Sequence, residues 1–129
     1  MPANLIPPSF RVIALIFTLF TVCVTLSGNA RAHAVVTESS LTKTAIKPQT
    51  KTTVVLFFNA NVELSLSKIF LVSKGDVYQP AHAEKGTKPG EIRIHIPPLQ
   101  PGDYALKYKV FAADGHLTES VIRFNVGGN

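Results

Sequence analysis

The chain has 129 residues, 46% of them hydrophobic and 16% charged, with 13 Lys and Arg against 8 Asp and Glu for a formal net charge of +5. One domain suits that length, and the apolar content with low charge density excludes a disordered chain. A single cysteine, 8 glycines and 9 prolines exclude a disulfide scaffold and a collagen-like repeat.

The apolar residues are unevenly spread. After the irregular stretch Met1 to Phe10 and the single charge of Arg11, the run Val12 to Leu26 carries no charge. A membrane-spanning helix needs about 20 apolar residues, and this run is shorter. It is followed by Ser27-Gly28-Asn29, which breaks helices, and by Ala30-Arg31-Ala32, whose small-x-small pattern suits signal peptidase. The expected division is a secretory signal peptide over residues 1–32 and a mature domain over residues 33–129, with contact to the membrane only through the signal. Ala32-His33-Ala34 satisfies the same small-x-small rule, so cleavage after Ala34 is the alternative. Phe20-Thr21-Val22 before Cys23 lacks the small residues of a lipid-attachment site.

Cleavage removes the only cysteine and the only methionine, which leaves no soft sulfur ligand. No nucleic-acid partner is expected. An exported chain rarely meets one, and Lys43, Lys47, Lys51, Lys107 and Lys109 are interspersed with polar and apolar residues, as on a solvated face.

No helical period appears after His33, whereas short β-branched and aromatic runs recur between turn signals. Val35–Ser40 opens as a strand, and Thr52–Phe58, apolar on both parities, reads as a strand covered on both faces. Ser67–Ser73 follows, then the turn Lys74-Gly75-Asp76 into Val77–Tyr78. Ala81 to Gly90 carries Gly and Pro breaks and reads as a surface loop. Glu91–Ile96 alternates, with Ile92, Ile94 and Ile96 toward the core and Glu91, Arg93 and His95 toward water. Pro97 to Gly102 is a connection. Leu99 to Tyr104 has the form of a sandwich corner in which a tyrosine hydroxyl returns to an upstream backbone group. Tyr104–Ala112 and Leu117–Val126 complete the set, with Tyr104, Leu106, Tyr108 and Val110, and Ile122, Phe124 and Val126, facing inward. The expected fold is all-β: a Greek-key β-sandwich or barrel of about seven strands, immunoglobulin-like or cupredoxin-like.

The chemistry concentrates at the new N-terminus and in one turn. Cleavage after Ala32 gives His33 a free α-amine beside its imidazole, two nitrogens placed to chelate one ion. An α-amine, with a reference pKa of about 7.7–8.0, yields its proton to a metal more readily than a lysine near 10.4. In Asp114-Gly115-His116 the side chains two apart point to one side in extended chain, and Gly115 offers no obstruction. Three nitrogens and a carboxylate oxygen suit tetragonal Cu(II), with Zn(II) or Ni(II) as competitors and Cu(I) disfavoured. Taken singly, a histidine is usually a polar surface residue and Asp-Gly a common turn; the combination carries the metal reading. His95 on a wet strand face and His82, in a loop with Glu84 nearby, read as solvated. No Ser-His-Asp or paired-carboxylate arrangement is legible.

Here the sequence resembles the CopC-type periplasmic copper-binding domains, a family that includes the YobA-like proteins. The resemblance spans His33 to Val126. It rests on His33-Ala34 after a signal, the strand Val54 to Phe58 leading into Asn59 to Leu66, the corner Leu99 to Tyr104, and Asp114-Gly115-His116 before a last strand ending Phe124-Asn125-Val126. It implies a site for one Cu(II) per chain made by His33, Asp114 and His116, serving copper resistance, storage or delivery in the periplasm, with an inner-membrane copper transporter as candidate partner. The absence of a methionine-rich loop excludes a second, Cu(I) site of the kind some members carry. Tyr108 stands where a Trp is often seen. Asn59-Ala60-Asn61 stands where some members place a Glu, which leaves Glu63 as the nearest candidate for a fifth ligand. The expectation is a non-enzymatic carrier. The alternatives are a copper-dependent oxidase or oxygenase using the N-terminal chelate, against which the extra carboxylate argues, and a metal-free sandwich that mediates protein interactions.

Overall fold

The computed structural model describes residues 7–25 and 33–127. The chain divides into two compact units, Met1–Arg31 and Ala32–Asn129. In the first, α1 spans Pro8–Thr25. Its proline sits in the first turn, where a missing N–H costs nothing. Leu15, Leu19 and Phe20 are exposed along it. No helix among the described residues is long and apolar enough to cross a membrane. The expected cleavage site, Ala30-Arg31-Ala32, lies outside the described residues.

Among the described residues the second unit holds eight strands: β1 (Val36–Ser39), β2 (Thr52–Phe58), β3 (Lys68–Ser73), β4 (Val77–Pro80), β5 (His82–Lys85), β6 (Glu91–Ile96), β7 (Gly102–Phe111) and β8 (Leu117–Val126). They form two four-stranded sheets, β1-β2-β6-β5 and β4-β3-β7-β8, and neighbouring strands within each are antiparallel. The result is a two-sheet sandwich close to the cupredoxin-like arrangement, not a closed barrel. Val54 and Leu56 of β2 and Ile92, Ile94 and Ile96 of β6 are buried together with Leu71 of β3 and Leu106 and Val110 of β7. The strict alternation of β6 thus delivers one apolar face to the core.

Aromatic rings complete the packing. Phe58 of β2 meets Tyr108 of β7 edge-on, ring centroids 5.6 Å apart at 88°, a favoured geometry for the aromatic quadrupole. Tyr104 closes its corner as expected, its hydroxyl donating to the Gln100 carbonyl at 3.0 Å.

Three local expectations are corrected. Ala81 to Gly90 is not all loop, since His82–Lys85 pairs as β5 along the free edge of β6. Its period of two was masked because its inward residue is only an alanine: Ala83 packs against the core while His82 and Glu84 are exposed. β2 is not covered on both faces either. Val54, Leu56 and Phe58 are buried, but Thr53 is exposed and Val55 and Phe57 only half-covered, the last with Lys88 Nζ 5.8 Å over its ring. Glu91, expected toward water, is 6% exposed. Its carboxylate accepts hydrogen bonds from the Lys88 amide, the Thr87 hydroxyl and Arg93 Nε. Burial pushes this carboxyl upward, yet the Arg93 hydrogen bond, the Lys88 amide, the Arg93 charge and Thr87 together hold it below the ordinary glutamate value.

The ladder that places the site is the long β7–β8 hairpin, paired from Gly102↔Val126 to Phe111↔Leu117. Its closing loop is Ala112 to His116.

Candidate metal centre

The Asp114-Gly115-His116 turn is built by the hairpin's own backbone. The Ala112 N–H donates to the His116 carbonyl and the Gly115 N–H to the Ala112 carbonyl, each at 2.9 Å. Gly115 has a φ of 85°, a left-handed conformation that a side chain disfavours. Asp114 Oδ1 accepts from the His116 N–H at 3.0 Å, the local side-chain turn typical of aspartate, and this orients the carboxylate. Oδ2 then lies 3.1 Å from His116 Nδ1. That nitrogen is buried yet has no hydrogen-bond partner of acceptable geometry. The His116 N–H is the largest influence on the Asp114 carboxyl. With the His116 side chain and the charges of His116 and His33 it outweighs burial and holds the group below the usual aspartate value. Asp114 is therefore a ready anion at neutral pH.

His33 reaches the turn from the other side of the sandwich. Ala34, fully buried, anchors the segment in the core. Val35 and Asn59 clamp it reciprocally: the Val35 N–H donates to Asn59 Oδ1 at 2.8 Å, and the Asn59 N–H donates to the Val35 carbonyl at 3.0 Å. The His33 ring then stands 5.8 Å from the His116 ring, centroid to centroid, tilted by 50°. In the uncut chain the His33 nitrogen is a peptide amide; only cleavage after Ala32 frees it as an amine. The exposed His33 ring must still turn to share a coordination sphere with Asp114 and His116. Among the described residues the group of three whose ligand atoms all lie within 4.8 Å of one another is His82, Glu84 and His95.

Asn59 and Asn61 are the residues that sequence reasoning undervalued. They interested it only as the absence of a glutamate, whereas in the fold they tie the site together. The Asn61 carbonyl accepts from the Ala113 N–H at 2.8 Å, and its Oδ1 from the Gly90 N–H at 3.1 Å. The Gly90 carbonyl in turn accepts from the Phe58 N–H at 2.9 Å. Gly90 has a φ of 74°, and a Cβ there would collide with the Phe58 carbonyl oxygen. Asparagine near a predicted strand end is a turn signal, but which backbone groups it reaches is decided by long-range register. Glu63 does not point to a role at the site. It faces Lys85, 3.9 Å away.

His82 and His95 read as solvated in the sequence, with Glu84 near His82, and all three are exposed. The signal that would have joined them is the β5–β6 register, which sets His82 directly opposite His95. The group has the capacity for a divalent metal ion.

The donors at the hairpin turn fit a borderline divalent ion. They are a carboxylate already ionised, a buried imidazole nitrogen 3.1 Å from that carboxylate, and a second imidazole alongside, with no thiolate or thioether.

No curated protein matches the chain in sequence. Among solved structures, it is similar to CopC from Methylosinus trichosporium OB3b, with 26% identity and a TM-score of 0.62 over 75% of this chain and 98% of that one. It is similar in fold to PcoC, a methionine-rich copper resistance protein from Escherichia coli, with 24% identity and a TM-score of 0.55 over 74% of this chain and 99% of that one. Residues 36–127, nearly the whole sandwich, match the CopC domain. The chain belongs to the CopC domain family.

Proposed function

We propose that the mature chain is a periplasmic protein that binds one Cu(II) ion through the His33 amine and imidazole, Asp114 and His116, and serves copper resistance, storage or delivery. The carrying observation is the convergence of the His33 ring on the Asp114–His116 turn, where His116 Nδ1 is buried without a hydrogen-bond partner. The chain is not an enzyme, since its family is one of non-catalytic copper-binding proteins. Residues 1–32 act in this reading as the signal whose removal creates the chelating amine. The strands cross between sheets after β2, β4 and β6, and we read that connectivity as the expected Greek key. An inner-membrane copper transporter is the candidate partner for the bound ion.

The chain's own groups divide the work. Asp114 supplies negative charge that offsets the ion's, and the Asx-type turn holds its carboxylate in place. The clamp on Val35 fixes where the N-terminus ends, so little ordering is left to be done on binding. Protons compete for the amine and imidazoles, so acid releases the ion.

The test is a competition titration with Cu(II) on the exported protein, preceded by its intact mass to establish that it begins at His33. One tightly held Cu(II) per chain is expected, and His33→Ala and His116→Ala should each weaken it sharply. Unchanged affinity in both variants, or a mature chain that begins at Val35, ends this reading.

A further inference from the structure

We propose that His82, Glu84 and His95 form a second, solvent-open site for a divalent transition-metal ion, held on the outer face of the β1-β2-β6-β5 sheet. It is separate from the site at the hairpin turn. His95 is opposite Thr53 and Val36 is opposite Phe58, so five residue steps along β2 separate the two rungs, about 16 Å at roughly 3.3 Å per residue.

Two ladders fix the three side chains. β5 and β6 run antiparallel with His82 opposite His95, and Glu84, two residues along β5, lies on the same face. Directly opposed residues have Cβ atoms about 4.5–5.5 Å apart, and here the two imidazoles lie face to face, centroids 5.5 Å apart and 17° from parallel. Glu84 Oε1 reaches across the diagonal to 3.2 Å from His95 Nε2. The other nitrogen of His95, Nδ1, faces the Thr53 hydroxyl at 3.4 Å. An outer hydrogen-bond partner of this kind orients a metal-binding imidazole and leaves Nε2 for the ion.

Two nearby cations, Arg93 and Lys85, do not neutralise the carboxylate. Arg93, opposite Glu84 in register, is taken up by Glu91 at 3.0 Å. Lys85 turns to Glu63. Glu84 thus remains available to His95 and to an ion. The His82 and His95 rings line a groove of about 500 Å³ together with Thr53, Pro80 and Pro97, which leaves room for the water that an incomplete protein ligand set requires.

Three ligand atoms bound to one ion at about 2.0–2.2 Å are at most about 4.3 Å apart. The present spread, within 4.8 Å, closes by small rotations of exposed side chains on a backbone that the sheet holds. Two imidazoles and one carboxylate select Zn(II), Cu(II) or Ni(II) over Mg(II), Ca(II) or Cu(I). With no α-amine chelate and three exposed ligands, this site is the weaker and faster-exchanging of the two.

The experiment counts Zn(II), and in parallel Cu(II), bound to the exported protein by native mass spectrometry and titration, with histidine ring NMR signals as a second readout. The variants are His82→Ala, His95→Ala, Glu84→Gln and His116→Ala, each checked for an unchanged far-UV circular dichroism spectrum. Wild type should bind a second, weaker equivalent that shifts the His82 and His95 ring signals. His82→Ala and His95→Ala should each lose that equivalent and keep the tight one, and Glu84→Gln should weaken it. His116→Ala should lose only the tight one, so the two readings fail independently. The proposal is overturned if His82→Ala and His95→Ala bind as many ions as wild type, or if the added ion leaves both ring signals unmoved.

Discussion

Asn59→Ala tests the idea that the N-terminal ligand is positioned by a residue that never touches the ion. The substitution removes the Oδ1 acceptor of the 2.8 Å bond from the Val35 N–H. It leaves the return bond, because the Asn59 N–H to Val35 carbonyl contact is backbone to backbone. The loss is therefore one neutral hydrogen bond at an exposed place where water can replace the acceptor, about 0.5–1.5 kcal/mol. If that energy goes into the fraction of molecules with His33 held beside His116, Cu(II) affinity falls about two- to thirteenfold. Removing an imidazole ligand, by contrast, should cost far more. The assay is competition titration of Cu(II) between a chelator of known affinity and the protein beginning at His33, with wild type, Asn59→Ala and His116→Ala side by side. A small loss in Asn59→Ala and a large one in His116→Ala is the expected pattern. Affinity unchanged by Asn59→Ala would show that the clamp does not position the ligand, and a loss equal to that of His116→Ala would show that Asn59 contributes more than one neutral hydrogen bond.

Gly90→Ala should lower the melting temperature, because a left-handed residue with a Cβ costs about 1–2 kcal/mol and the added carbon meets the Phe58 carbonyl, which cannot swing away. An unaltered melting curve would contradict the close approach of these two backbones. Leu106→Ala empties a fully buried position in β7 and should cost about 2–5 kcal/mol, at about 4–8 °C per kcal/mol for a domain of this size; thermal melts that move by less than about 3 °C would show that the sheets do not pack through it. Glu91 has its carboxyl below the ordinary value in the folded state, so the stability it adds is present above its unfolded pKa of about 4.3 and lost as pH falls through the folded one. The melting-temperature gap between wild type and Glu91→Gln should accordingly be flat above about pH 5.5 and shrink below about pH 4.3; a gap that widens in acid would reverse the sign of that linkage.

The sequence was informative wherever a local pattern and its physical cause coincide. Isoleucine at every second position of β6 is buried because the pleat puts alternate side chains on one face. Tyr104 bonds back to Gln100 because four residues of corner bring the hydroxyl there. The turn of Asp114-Gly115-His116 also forms from local bonds alone. Other features depend on which strands become neighbours, and no local pattern records that. Only the register opposes His82 to His95 and makes β5 a strand on the edge of β6, where an inward alanine gave almost no hydrophobic signal. Only the packing explains why Glu91 is buried, since its partners Thr87 and Lys88 come from the loop before β6 and Arg93 from β6 itself, two residues on. The approach of His33 to His116 belongs to the same class. Eighty-odd residues separate them in sequence, and the clamp at Asn59 and the buried methyl of Ala34 bring them within 5.8 Å. The residue types that favour a metal were thus determined by the sequence, while their meeting was decided by long-range strand pairing, whose energy comes from burying faces that belong to different parts of the chain.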